Sequence, residues 1–151
     1  MRKRKNIGDK GFSLAEIIMV FAVITILIIL LSSQLLGYVE RVRQKKDIQQ
    51  AKTVHMAITA AVLSPAADDA PEKIVYDSLA ELYNDTERPN FVKTVKEMVE
   101  ESDASKLEGA GFVSKAYKGS GMKVEIEGSE IKLSVAVSGS ASEGDRPIEI
   151  E

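Results

Sequence analysis

The stretch Phe12-Ser13-Leu14-Ala15-Glu16, continued from Ile17 to Leu31 as IIMVFAVITILIILL, decides how the rest of the chain is read. Of the 20 residues from Phe12 to Leu31, 17 are apolar; Ser13, Glu16 and Thr25 are the exceptions. A run of about 20 apolar residues is what crosses the hydrocarbon core of a bilayer as a helix. A helix that is apolar on every side cannot hide against one small domain. The run is therefore read as a membrane-spanning segment rather than as soluble core.

Working outward, residues 1–11 carry Arg2, Lys3, Arg4, Lys5 and Lys10 against Asp9, a net charge of +4. A basic start before an apolar run also describes a cleaved secretory signal, whose apolar region is shorter, at about 7–15 residues. Here the run exceeds that length, and Leu31-Ser32-Ser33 is a poor cleavage site. Beyond it the sequence stays helical in character. From Gln34 to Leu63 there is no Pro and one Gly, and Ile48, Ala51, His55, Ile58 and Val62 recur at alternating spacings of 3 and 4. That spacing lays a stripe along one face of a helix. Pro65 and Pro71 then close it. The sequence predicts one helix over 12–63, membrane-spanning over 12–33 and amphipathic over 34–63. Five Lys/Arg precede the run, and Arg41, Arg43, Lys45 and Lys46 follow it. The leader charges lie closer to the apolar edge, which favours the N-terminus inside.

Glu16 is an acidic side chain in an apolar helix, which costs about 2.5–3.5 kcal/mol at mid-bilayer and less near an end. It lies four residues after Phe12, on the same helical face. A cut between Gly11 and Phe12 would expose a free ammonium beside this carboxylate, so cleavage would create the cation that Glu16 lacks.

Lys10-Gly11-Phe12-Ser13-Leu14-Ala15-Glu16, with the apolar run behind it, resembles the prepilin signature of type IV pilins and type II secretion pseudopilins. The resemblance covers about 40 of the 151 residues. It implies a basic leader over 1–11, cleavage after Gly11 by a prepilin peptidase, N-methylation at Phe12, and assembly in which Glu16 pairs with a terminal amine. The implied partners are the chain itself and other pilins in a filament, the peptidase, and an assembly platform in the membrane. The implied places are the cytoplasmic membrane, as a single-pass precursor with its head outside, and then a cell-surface filament. Gly37-Tyr38 falls where pilins often carry an aromatic residue. The helix-kinking Pro common in the family is absent near Ser32-Ser33, which leaves Gly37 and the serines as candidates for any kink. A single-pass anchored binding protein that does not assemble is the alternative reading. Major pilin, minor pilin and pseudopilin are not distinguished.

Residues 64–151 form the head, with ten basic and nineteen acidic side chains. Its net of −9 argues against direct nucleic-acid binding, which depends on phosphate contacts. Two short helices are predicted, Val75–Tyr83 and Phe91–Val99, the second with Asn90 as N-cap. Asp103 to Gly111 reads as loop. Met122, Val124 and Ile126 alternate with charged residues, as do Ile131, Leu133, Val135 and Val137 with polar or small ones. Joined through Gly128-Ser129 as a type II′ turn, they predict a hairpin pairing Ile126 with Ile131, Val124 with Leu133, Met122 with Val135 and Glu125 with Lys132. A third strand is expected from Phe112–Tyr117 or from Ile148–Ile150. The fold class is α+β: a long N-terminal helix packed on a small antiparallel sheet.

With no Cys, the chain has no disulfide, thiol nucleophile or Cys-ligated zinc. His55 is the only His and sits on the amphipathic stripe, where packing is its expected role. No catalytic constellation, phosphate loop, metal set or cofactor site is spelled out, and the expected role is not enzymatic. Asp68-Asp69 is the one place for a weak calcium site, without a liganding loop around it. Arg41–Lys46 is read as a solvated face, or else as a contact for acidic heads of adjacent subunits.

Overall fold

The structure, a computed structural model, describes residues 13–151, the side chain of Ser33 excepted. Helical hydrogen bonding runs from Leu14 to Val62, 49 residues that form α1. Gly11 and Phe12 lie outside the described residues. The chain forms two compact units, one ending at Tyr38 and the other running Val39–Glu151. The second half of α1 therefore belongs to the head.

In the first unit every described side chain from Ser13 to Ser32 is exposed. Two of its hydroxyls, on Thr25 and Ser32, are satisfied inside the helix. Thr25 Oγ1 donates to the Phe21 carbonyl at 2.8 Å and Ser32 Oγ to the Ile28 carbonyl at 2.7 Å. Back-bonding of this kind leaves no hydroxyl proton unpaired in an apolar medium.

The head is built on the second half of α1. Asp47, Ala51, Val54, Ala57, Ile58 and Ala61 are buried on it, with Ile48, His55 and Val62 partly so. The buried face is broader than the expected stripe.

The sheet has four antiparallel strands in the order β1 (Lys73–Tyr76), β2 (Met122–Glu127), β3 (Glu130–Val135) and β4 (Ile148–Ile150). The β2–β3 register pairs Met122 with Val135, Val124 with Leu133, Glu125 with Lys132 and Ile126 with Ile131, as the alternation predicts. All the apolar members of those pairs are buried. Gly128 has φ 62 and Ser129 is not among the positive-φ residues, the pattern of a type II′ turn. Of the two candidates for a further strand, Ile148–Ile150 pairs with β3. Phe112–Tyr117 is not a strand. Phe112, Ala116 and Tyr117 are buried, and the Val113 and Ser114 N–H groups donate to Asp47 instead of to a neighbouring strand.

Two further expectations are corrected. Val75–Tyr83 is not one helix: Val75 and Tyr76 belong to β1, and α2 spans only Leu79–Tyr83. The β-branched and aromatic run Ile74-Val75-Tyr76 takes the free edge of β2, pairing Ile74 with Ile126 and Tyr76 with Val124. Ser78 then starts α2, its Oγ accepting from Glu81 N–H at 3.1 Å. The second helix, α3, spans Pro89–Val99, and its N-cap is Arg88, not Asn90. Pro89 begins the helix, where a missing N–H costs nothing. Asn90 lies inside the first turn, and its N–H is capped by a residue far away in sequence, Asp69. Asp103 to Gly111 contains two short 3₁₀ turns, Ala104–Lys106 and Gly109–Gly111. Gly111 is required there, since a Cβ would collide with the Lys106 carbonyl.

Carboxylates hold the head where a disulfide is unavailable. Glu108, 6% exposed, accepts from Leu79 N–H and Ala80 N–H at 2.9 Å and from Met122 N–H at 2.6 Å. It thereby ties the start of α2 to the start of β2. Asp47, fully buried, accepts from Val113 N–H at 3.0 Å and Ser114 N–H at 2.9 Å, tying α1 to the 112–117 segment. Asp69 accepts from Asn90 N–H at 2.9 Å and Phe91 N–H at 2.6 Å. His55 Nε2 lies 2.8 Å from the Ile131 carbonyl and joins α1 to β3, a packing role.

Candidate assembly site

The site predicted from sequence is Gly11, Phe12 and Glu16. Only Glu16 falls among the described residues, in the first turn of α1. Its Oε2 accepts a hydrogen bond from the Ser13 backbone N–H at 2.9 Å. Ser13 Oγ accepts from Ala15 N–H at 3.3 Å, and the Ser13 carbonyl accepts from Glu16 N–H at 3.0 Å and Ile17 N–H at 3.2 Å. Ser13 is thus the residue that opens the helix, and Glu16 is its third residue reaching back. Glu16 thus makes the returning half of a Ser-x-x-Glu capping box, while the Ser13 hydroxyl caps the Ala15 N–H instead of that of Glu16.

From sequence alone Glu16 is a carboxylate that lacks a cation. The signal for its local role was present, because Ser-x-x-Glu before an apolar run is the mark of a helix start. The carboxylate also sits where the positive end of the helix dipole favours negative charge. Two forces therefore hold it at the end of the apolar segment before any other chain is considered.

Glu16, Ile17, Val20 and Phe21 line an open depression of about 260 Å³. Ile17, Val20 and Phe21 are 44%, 55% and 64% exposed. Each large apolar side chain that leaves water gains about 1.5–3 kcal/mol. In isolation this surface is unstable in water and requires either lipid or other apolar helices around it. One helix of the described residues is long and apolar enough to cross a membrane.

The head offers a different kind of hollow. A depression of about 730 Å³ runs along α3, lined among others by Tyr83, Lys96 and Glu101. Two of its side chains, Lys96 and Tyr83, are engaged with each other. Lys96 Nζ donates to the Tyr83 carbonyl at 2.9 Å and lies 5.0 Å above the Tyr83 ring. Burial, with the Glu101 charge, pushes the Tyr83 hydroxyl up to about 12. At Asp68-Asp69 three of the four carboxylate oxygens have partners: Asp68 Oδ1 accepts from Asn90 Nδ2 at 2.8 Å, while both oxygens of Asp69 take N–H groups of α3. These carboxylates fix the start of a helix rather than converge on an ion.

Comparison with family models, curated proteins and solved structures gives no match.

Proposed function

We propose that the chain is a structural subunit of a type IV pilus or pseudopilus filament. It is made as a membrane-anchored precursor, cleaved after Gly11, N-methylated at Phe12 and assembled through its apolar helix, with other copies and pilins of the same filament as partners. A prepilin peptidase and a membrane assembly platform act on it, and its role is structural rather than enzymatic. The observation that carries this reading is the sequence Gly11-Phe12-Ser13-Leu14-x-Glu16 followed directly by Ile17–Leu31, an apolar helical run exposed along its whole length.

The physical logic runs through the two environments of that helix. In the membrane, lipid covers the apolar surface. On extraction into a filament, helices of other subunits replace the lipid, because contact with water would cost about 25 cal/mol per Å². Packing among apolar helices has little register of its own. A desolvated pair between Glu16 and a terminal amine sets it, while a desolvated unpaired charge opposes a wrong one.

The capping box determines which variant tests this. Glu16→Ala removes the charge and also the helix-starting hydrogen bond from the Ser13 N–H. Glu16→Gln removes the charge and keeps an acceptor suited to the same box. Filament yield should fall sharply in both variants, with membrane insertion normal in both. Assembly of Glu16→Gln at the wild-type level would show that the charge plays no part.

A further inference from the structure

We propose that the outer face of α1 in the head docks on the acidic trough along α3 of a second copy of this chain. Both surfaces belong to the compact unit Val39–Glu151. On α1 the buried residues Asp47, Ala51, Val54, Ile58 and Ala61 mark one side. Val42, Lys45, Gln49, Lys52 and Met56 recur on the other side at spacings of 3, 4, 3 and 4, with Lys46 beside them, and all are exposed. Both acidic residues of 39–62 turn away from this face. The Glu40 carboxylate accepts from the Lys115 N–H, and Asp47 accepts from the Val113 and Ser114 N–H groups. Among the described residues the only ion pair involving 39–62 is Arg43 with Glu40, which leaves Lys45, Lys46 and Lys52 without one.

The opposite charge is supplied by the rest of the head, and it is not spread evenly. Residues 39–62 hold five basic and two acidic side chains, a net of +3, against −9 over 64–151. The four strands hold four acidic and three basic residues, and each of those lysines is paired with a glutamate of the sheet. Lys73 meets Glu127 at 2.7 Å, Lys123 meets Glu125 at 2.7 Å and Lys132 meets Glu130 at 3.2 Å. Residues 77–103, which include α2 and α3, hold eight acidic and three basic side chains, a net of −5. Here lies the depression of about 730 Å³, to which Tyr83, Pro89 and Val92 give apolar surface and Glu97, Glu100 and Glu101 give negative charge. Its two lysines are already engaged, Lys93 with Glu97 at 3.8 Å and Lys96 with the Tyr83 carbonyl at 2.9 Å. The Glu100 carboxylate has no partner among the described residues.

The two surfaces match in charge and in apolar character. On α1, Val42 and Met56 stand among three unpaired lysines, and Met56 is 62% exposed. In the trough, apolar surface is flanked by glutamates. Opposite charge steers the two together and fixes their register. Two outer faces repel each other, and so do two troughs, which disfavours both like pairings. Each copy carries both surfaces, so the contact is heterologous and can propagate from copy to copy. It uses the head alone and needs no cleavage at Gly11. Within a filament it would add a salt-sensitive bond between heads to the apolar packing of the helices.

The chain lacks Cys, so an introduced thiol reports one position. Gln49→Cys places it on the outer face of α1, Thr86→Cys on the trough and Ser129→Cys at the β2–β3 turn. Full-length variants in zwitterionic detergent are mixed in pairs and oxidised, and the mixed disulfide is measured by mass. The 49–86 mixture should yield about three-fold or more mixed disulfide than the 49–129 mixture. The excess should vanish in about 0.5 M salt, where the Debye length is about 4 Å. It should also vanish when Lys45→Glu and Lys52→Glu are added to the first chain, and return when Glu97→Lys and Glu100→Lys are added to the second. A yield at 86 no higher than at 129 would overturn the proposal, as would an excess indifferent to salt. A yield highest at 129 would give the helix face to the sheet of another copy. No mixed disulfide at either position, with a fluorophore at position 49 responding to added phosphatidylglycerol, would give it to a lipid surface. Either result overturns the trough as the partner. If the charge-reversed chains do not fold, the salt response of the thiol variants decides the matter. Neither chain is processed in this experiment, so its failure leaves the filament reading to its own test.

Discussion

The two halves of α1 share one pattern of backbone hydrogen bonds and differ in everything their side chains do. Over 14–38 the apolar residues point in every direction and stay exposed. Over 39–62 Val39, Val42 and Met56 stay exposed, but a continuous apolar face forms, and on it Val54, Ile58 and Ala61 are completely covered by the head. That face is satisfied within one chain. The first half has no internal solution and must be covered from outside. The acidic residues differ in the same sense. Glu16 caps its own helix and Asp47 ties α1 to a distant loop, so one is a local device and the other a tertiary one.

The largest effect that would sharpen this contrast is expected at Glu108. Its loss strands three backbone N–H groups, each costing about 1–3 kcal/mol when buried without a partner. Glu108→Ala should lower head stability by about 3–5 kcal/mol in urea unfolding of the detergent-solubilised chain, followed by tyrosine circular dichroism. Membrane insertion should not change. A variant that inserts poorly would mean that the two halves are not independent.

A smaller effect is expected at Asp69. It caps α3 from a distance, and cap removal costs about 1 kcal/mol. Asp69→Ala should shift the same transition by that amount, with Asp69→Asn recovering part of it. No shift would mean that Pro89 alone starts the helix.

The smallest effect concerns acid. Burial by itself would raise the Asp85 carboxyl, but hydrogen bonds from Tyr76 and Arg88, the Glu87 N–H and the Arg88 charge outweigh it and hold its pKa below the usual value. Such a group contributes stability that is present above the unfolded carboxyl pKa of about 3.9 and is lost as pH falls through the folded value. Head stability should therefore decline below about pH 4, and Asp85→Asn should make that decline shallower. An unchanged acid slope in Asp85→Asn would remove this group from the account.

What could be read in advance follows the same division between local and distant causes. The apolar run and the β2–β3 register were legible because each is a periodicity within one short segment. The β1 strand was not. Val75, Leu79, Leu82 and Tyr83 happen to fall at helical spacing, and only the open edge of β2 decides that Val75 and Tyr76 extend. Asn90 resembled a cap because the residue that supplies the capping carboxylate, Asp69, lies 21 positions earlier. Glu108 and Asp47 looked like surface acids among many others, since their N–H partners are assembled only by the fold. At the candidate site the reverse holds: the Ser13–Glu16 box was written in four adjacent residues.

The central claim is best tested by intact-mass measurement of the chain extracted from the membranes of its native cells. The account predicts a polypeptide beginning at Phe12 and carrying one added methyl group at its N-terminus. A membrane-bound chain that still begins at Met1 would contradict it.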